Sequence, residues 1–74
     1  MIRLPVVTPS EIVKALKRAG FVERHQKGSH LFMWNEYKKR MTTVALHAKD
    51  MPRPMMKEIL KQAGITEEKF RDLL

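Results

Sequence analysis

The side chains in this chain best suited to moving protons are its three histidines, His25, His30 and His47; it has no cysteine to serve as a thiolate nucleophile or soft metal ligand. His30 closes the stretch Gln26-Lys27-Gly28-Ser29-His30. Glycine followed by serine has the composition of a two-residue turn whose first central position needs a positive φ. Such a turn makes Lys27 and His30 directly opposed neighbours on two antiparallel strands, with both side chains on one face. An imidazole titrates near neutral pH and works as base or acid. An ammonium across from it can stabilise negative charge developing on a bound anion. With a formal net charge of +7, the ligand this pair suits is a polyanion.

Elements on both sides must hold that turn in place. Phe21 to Lys27 reads as a first strand, His30 to Asn35 as a second and Met41 to His47 as a third. Between the last two runs the polar, basic loop Asn35-Glu36-Tyr37-Lys38-Lys39-Arg40. Counted from Gly28-Ser29, His25 faces Phe32 and Lys27 faces His30; counted back from the long loop, His30 falls near Ala45 with His47 as a diagonal neighbour. Alternation puts Val22, Leu31, Met33, Val44 and Leu46 on the side expected beneath helices. It leaves His25, Lys27, His30, Phe32, Trp34, Thr43 and His47 on the other, open side. Phe32 and Trp34 are large enough that core packing of at least one is the plainer expectation. Their functional reading is a stacking platform for unpaired bases.

Before the strands, Thr8-Pro9-Ser10-Glu11 has the form of a capped helix start, with Thr8 at the N-cap and Glu11 as the capping-box carboxylate. Ile12, Val13, Leu16 and Ala19 recur at helical spacing, while Lys14, Lys17 and Arg18 take the wet side. Gly20-Phe21 ends that helix with a left-handed residue and an apolar one folding back. After the strands, a second helix from about Pro54 to Ala63 carries Met55, Met56, Ile59, Leu60 and Ala63 as its apolar stripe. Gly64-Ile65 repeats the ending device, and Thr66 caps a short terminal helix whose Phe70, Leu73 and Leu74 are expected to dock.

At 74 residues there is room for one domain, residues 1–74, and a small core. A hydrophobic content of 43% is too high for a disordered chain. Met1 to Val7, interrupted by Arg3 and Pro5, is too short for a secretory signal, and no apolar run reaches the length of a membrane span. A cytoplasmic protein without a membrane partner is the expectation. No carboxylate falls near the histidines and helical ligand spacing is missing, so neither a metal nor another cofactor is expected.

The element order gives an α+β layer, α-β-β-β-α, with a three-stranded antiparallel meander, two helices on one face and a short C-terminal helix. Double-stranded-RNA-binding domains share that order. The residues go further: Gly20-Phe21, Gln26-Lys27-Gly28-Ser29-His30, Thr43-Val44, His47 and Ile59-Leu60-Lys61-Gln62-Ala63-Gly64-Ile65 together resemble the HicA family, from about Leu4 to Leu74. The chain departs from common members at His25, Ala45 and Pro54-Met55, and keeps the Gly-Ser-His segment intact.

The resemblance implies an mRNA interferase, the toxin of a bacterial toxin–antitoxin pair, restrained by a HicB-type antitoxin that covers His30. It implies that His30 is catalytic. RNA brings its own nucleophile, the 2′-hydroxyl beside the scissile phosphate, so the protein need only move protons and stabilise charge. Gln26, Lys27, Gly28 and Ser29 would then hold the RNA around His30, with His47 beside them. From its charges alone, the loop Lys38-Lys39-Arg40 suits contacts to phosphates that do not read sequence, with a solvated turn as the equal alternative. His47 could serve as the second proton carrier, but a strand-end histidine bonded to backbone is the plainer expectation. Two other functions remain open from the residues: a non-catalytic RNA-binding module of the same shape, and an interaction domain for an acidic protein.

Overall fold

The computed structural model describes residues 6–47 and 49–74, so most of the stretch weighed as a leader lies outside the described residues. The order of elements is α1 (Pro9–Arg18), β1 (Val22–Lys27), β2 (His30–Asn35), β3 (Arg40–Ala45), α2 (Arg53–Ala63) and α3 (Glu67–Leu73). The strands form one antiparallel sheet in the order β1-β2-β3. Among the described residues, no helix is long and apolar enough to cross a membrane.

Local chemistry fixes both ends of α1. The Thr8 hydroxyl accepts from the Glu11 amide at 3.2 Å, and the Glu11 carboxylate accepts in return from the Thr8 amide at 3.0 Å. These reciprocal bonds satisfy amide donors that the first helical turn leaves unpaired. At the other end Gly20 has a φ of +97°. Its amide donates to the Lys17 carbonyl and that of Phe21 to the Leu16 carbonyl, the paired bonds of a Schellman ending. The same pair recurs after α2, from Gly64 to Lys61 and from Ile65 to Leu60. Each ending turns an apolar residue, Phe21 or Ile65, back into the core.

Alternation along β2 buries Leu31 and Met33 and leaves His30 exposed, with Phe32 and Trp34 half-buried. The buried pair joins Val44 of β3 with Ile12 and Leu16 of α1, Met56, Ile59 and Leu60 of α2, and Phe70 of α3. Burying a side chain such as Phe70 contributes roughly 1.5–3 kcal/mol. Two polar groups are sealed in as well. Thr42 donates to the Ile59 carbonyl at 3.3 Å, tying β3 to α2. Asn35 donates to the Ala19 carbonyl at 3.1 Å and accepts from the Lys38 amide at 2.9 Å, so one side chain closes both the end of α1 and the β2–β3 turn.

Four expectations are corrected. Val22 is 58% exposed and pairs with Trp34 on the open face, because the β1–β2 register shifts between Glu23 and His25. The extra residue, Arg24, makes a bulge that reverses the alternation before it. Met55 and Leu74 are 43% and 42% exposed and lie outside the core cluster, so the stripe of α2 begins at Met56 and α3 is held by Phe70 and Leu73. Neither Phe32 nor Trp34 belongs to the core cluster; both lie on the open face. The third strand stops at Ala45, and His47 lies in the turn that follows.

Candidate active site

The hairpin between β1 and β2 has the expected register. Lys27 pairs with His30, Gln26 with Leu31 and His25 with Phe32, while His30 pairs with Ala45 on its other side. Gly28 has a φ of +60°, and Ser29 is not among the residues with positive φ. That is the pattern of a type II′ turn, whose twist matches the flanking strands. A Cβ placed on Gly28 would meet nothing within 4 Å, so glycine is needed there for backbone conformation alone. The Gln26 side-chain amide donates to the Gly28 carbonyl at 3.0 Å and braces the turn from the helix side. Lys27 and His30 are thereby held opposite each other, both exposed.

The chain returning from β3 completes the group. The Leu46 amide donates to the Ser29 carbonyl, and the Ser29 hydroxyl is 3.0 Å from His47 Nδ1. His47 is therefore held by a side chain of the turn, where a backbone partner was the plainer expectation. Its ring stands edge-on to that of His30, with centroids 6.2 Å apart and planes at 71°. Both rings are open to solvent, and the ammonium of Lys27 belongs to the same surface. Two imidazoles at this separation can address opposite sides of one small group, one removing a proton while the other delivers one. Among the described residues, no cluster of three or more histidines and carboxylates is placed to hold a metal ion.

The basic loop is elsewhere. Lys38, Lys39 and Arg40 sit at the β2–β3 turn, a full strand length from His30, about 17 Å at the usual rise. Lys38 Nζ reaches the Gly64 carbonyl at 3.3 Å, and Arg40 Nη1 the Gln62 carbonyl at 3.5 Å. Both cations thus meet the C-terminal carbonyls of α2, where the helix dipole favours positive charge. Lys39 pairs with Glu36 at 2.8 Å. That carboxylate also accepts from Trp34 Nε1 at 2.6 Å, and the Lys39 and Trp34 bonds together hold its pKa below the ordinary value.

Between hairpin and loop, the open face carries a row the sequence only partly revealed. The His25 and Phe32 rings lie 5.9 Å apart, tilted by 31°. The Arg24 guanidinium lies 5.3 Å from the centroid of the Trp34 ring. Arg24 escaped notice because its place over the indole depends on the bulge, and neither glycine nor proline marks that bulge.

No curated protein matches the chain. Residues 9–65 match the family described as HicA toxin of bacterial toxin-antitoxin. That span runs from the first turn of α1, through the Gly-Ser-His hairpin and all three strands, to the residue that closes α2. The match covers more than half of the sequence, and the chain belongs to the HicA toxins of bacterial toxin–antitoxin systems.

Proposed function

We propose that this toxin is an endoribonuclease that cleaves mRNA without a metal ion, with His30 as its base. The observation that supports this reading most directly is the exposed pair of imidazoles, His30 and His47, set edge-on with centroids 6.2 Å apart beside Lys27. In the proposed reaction His30 takes the proton of the 2′-hydroxyl and the 2′-oxygen bonds to phosphorus. The bond from phosphorus to the 5′-oxygen breaks, and His47 protonates that oxygen. Lys27 stabilises the anionic phosphorane between the two steps. The products are a 2′,3′-cyclic phosphate on the upstream fragment and a 5′-hydroxyl on the downstream one.

Gly28, which lacks a Cβ and has open space around it, offers the phosphate a close backbone approach, and Ser29 beside it offers its amide. Gln26 acts through the turn it braces. Lys38, Lys39 and Arg40, a strand length away, meet phosphates remote from the cut. The cognate partner is a HicB-type antitoxin with an acidic surface that covers His30, so inhibition needs no change in the toxin's shape.

Induced expression of the wild type and of His30→Ala, followed by mapping of RNA ends, tests the reading. The wild type should arrest growth and leave cyclic-phosphate ends, whereas His30→Ala should fold, bind RNA and do neither. Chelator should leave cleavage unchanged. A His30→Ala protein that still cuts RNA, or ends carrying a 5′-phosphate and a 3′-hydroxyl, would rule the mechanism out.

A further inference from the structure

We infer that the open face of the sheet is a binding platform for unpaired RNA, with Phe32 and Trp34 as stacking rings that lead the strand away from His30. The inference rests on the reading of His30 as an RNA-cleaving centre, and it names the form of RNA that centre accepts. His30, Phe32 and Trp34 occupy alternate positions of β2, so all three present to the face that no helix covers. The two aromatic side chains are half-buried without joining the core, which leaves part of each ring accessible.

Spacing selects the ligand. Alternate residues of a strand stand about 7 Å apart. That is twice the ~3.4 Å rise between stacked bases. A strand engaging His30, Phe32 and Trp34 in succession must have its bases spread apart, which a duplex resists and an unpaired strand allows. Sheet faces that stack splayed bases on aromatic side chains are an established mode of single-strand recognition.

The charges on this face suit the same occupant. Lys27 stands opposite His30, and Arg24 lies over the indole where it can meet a phosphate or stack on a base. Glu36, the acid at the far end, is already occupied by Lys39 and by Trp34 Nε1. The row therefore runs from the Lys27–His30 pair to the Lys39 turn with its one carboxylate compensated. Of the loop cations, Lys39, paired with Glu36, stands at that end, while Lys38 and Arg40 turn to the carbonyls that end α2.

Trp34 is the single tryptophan of the chain, so the unmodified fold carries its own reporter. In the His30→Ala protein, which leaves the probe uncut, a short unpaired oligoribonucleotide should quench tryptophan fluorescence as it binds. The same strand annealed to its complement should bind more weakly and quench little. Trp34→Leu and Phe32→Leu keep apolar bulk and remove the aromatic face. Each should weaken binding of the unpaired strand by roughly 5- to 100-fold, the range of one lost base stack. Arg24→Gln, at an exposed position of the edge strand, should weaken it by a smaller factor that shrinks with added salt. If either leucine variant fails to fold, the quenching measurement and Arg24→Gln still decide the matter.

Equal binding and equal quenching by duplex and unpaired strand would overturn the inference. So would leucine variants that bind RNA normally but lose the antitoxin, which would make this face the antitoxin's. The two readings also fail separately. A wild type that cuts RNA without quenching sinks the platform alone, whereas one that quenches with the unpaired strand but never cuts sinks the cleavage reading alone.

Discussion

His47 is the residue whose role the geometry makes most testable. Its Nδ1 is 3.0 Å from the Ser29 hydroxyl and its ring is 6.2 Å from that of His30. The hydrogen bond is exposed, so its net worth is about 0.5–1.5 kcal/mol. His47→Ala should therefore lower stability by no more than about 1.5 kcal/mol. If the bond to Ser29 only positions the ring, losing it changes the rate by a factor of roughly two to ten. If the ring delivers the proton to the leaving oxygen, its removal costs about 10²–10⁴-fold. Ser29→Ala separates the two effects, because it unties the ring and leaves the proton carrier in place. The expected order of single-turnover cleavage rates is wild type, then Ser29→Ala within about tenfold, then His47→Ala at least about a hundredfold down. A His47→Ala protein cutting within threefold of wild type would reduce this histidine to a strut of the turn.

Two further outcomes follow from the frame that holds the site. Gly20→Ala combines a left-handed backbone at φ +97° with a Cβ only 3.3 Å from Asn35 Nδ2, a buried amide already bonded to the Ala19 carbonyl. It should cost about 2–4 kcal/mol, whereas Gly28→Ala, with open space around its Cβ, should cost only the backbone's about 1–2 kcal/mol; equal costs in urea unfolding would discount the Asn35 contact. The Glu11 carboxyl is held below its ordinary pKa of 4.5, chiefly by the bond from the Thr8 amide and then by that from the Thr8 hydroxyl. A depressed carboxyl stabilises the fold above its unfolded value and loses that contribution as the pH falls through the folded one. Wild type should therefore lose more stability than Glu11→Gln on acidification below about pH 4.5, and parallel unfolding curves would acquit this carboxylate.

The parts of the fold that were legible in the sequence are those set within a few residues. Thr8 and Glu11 cap α1 through bonds three residues apart, and Gly20-Phe21 and Gly64-Ile65 end their helices by contacts within one turn. Gly28-Ser29 sets the hairpin register because a two-residue turn leaves the strands no slack, so the opposition of Lys27 and His30 could be read directly. Thr42 and Asn35 were not foreseen as buried. What admits them to the interior is a carbonyl of α2 or α1, brought there by tertiary packing from 17 and 16 residues away. His47 was misjudged for the same reason: its partner is Ser29, 18 residues back, and no local rule links them.

The bulge at Arg24 is the irregularity that alternation had no means to show, and it has a definite geometric effect. Phe32 and Trp34 are two residues apart on β2, yet their partners His25 and Val22 are three apart on β1. The additional residue absorbs that mismatch, and its guanidinium lies over the indole of Trp34. A regular β1 would have turned Arg24 toward the helix side and buried Val22 beside Leu31 and Met33, as the simple pattern expects. The observed strand instead exposes Val22, leaving a valine side chain in water. What it gains on the open face is a cation beside an aromatic ring, four residues along the strand from His30. Bulges are enriched beside binding and active sites, where they re-aim a side chain as this one re-aims Arg24. The break in the pattern and the proposed RNA track are, on that argument, the same feature.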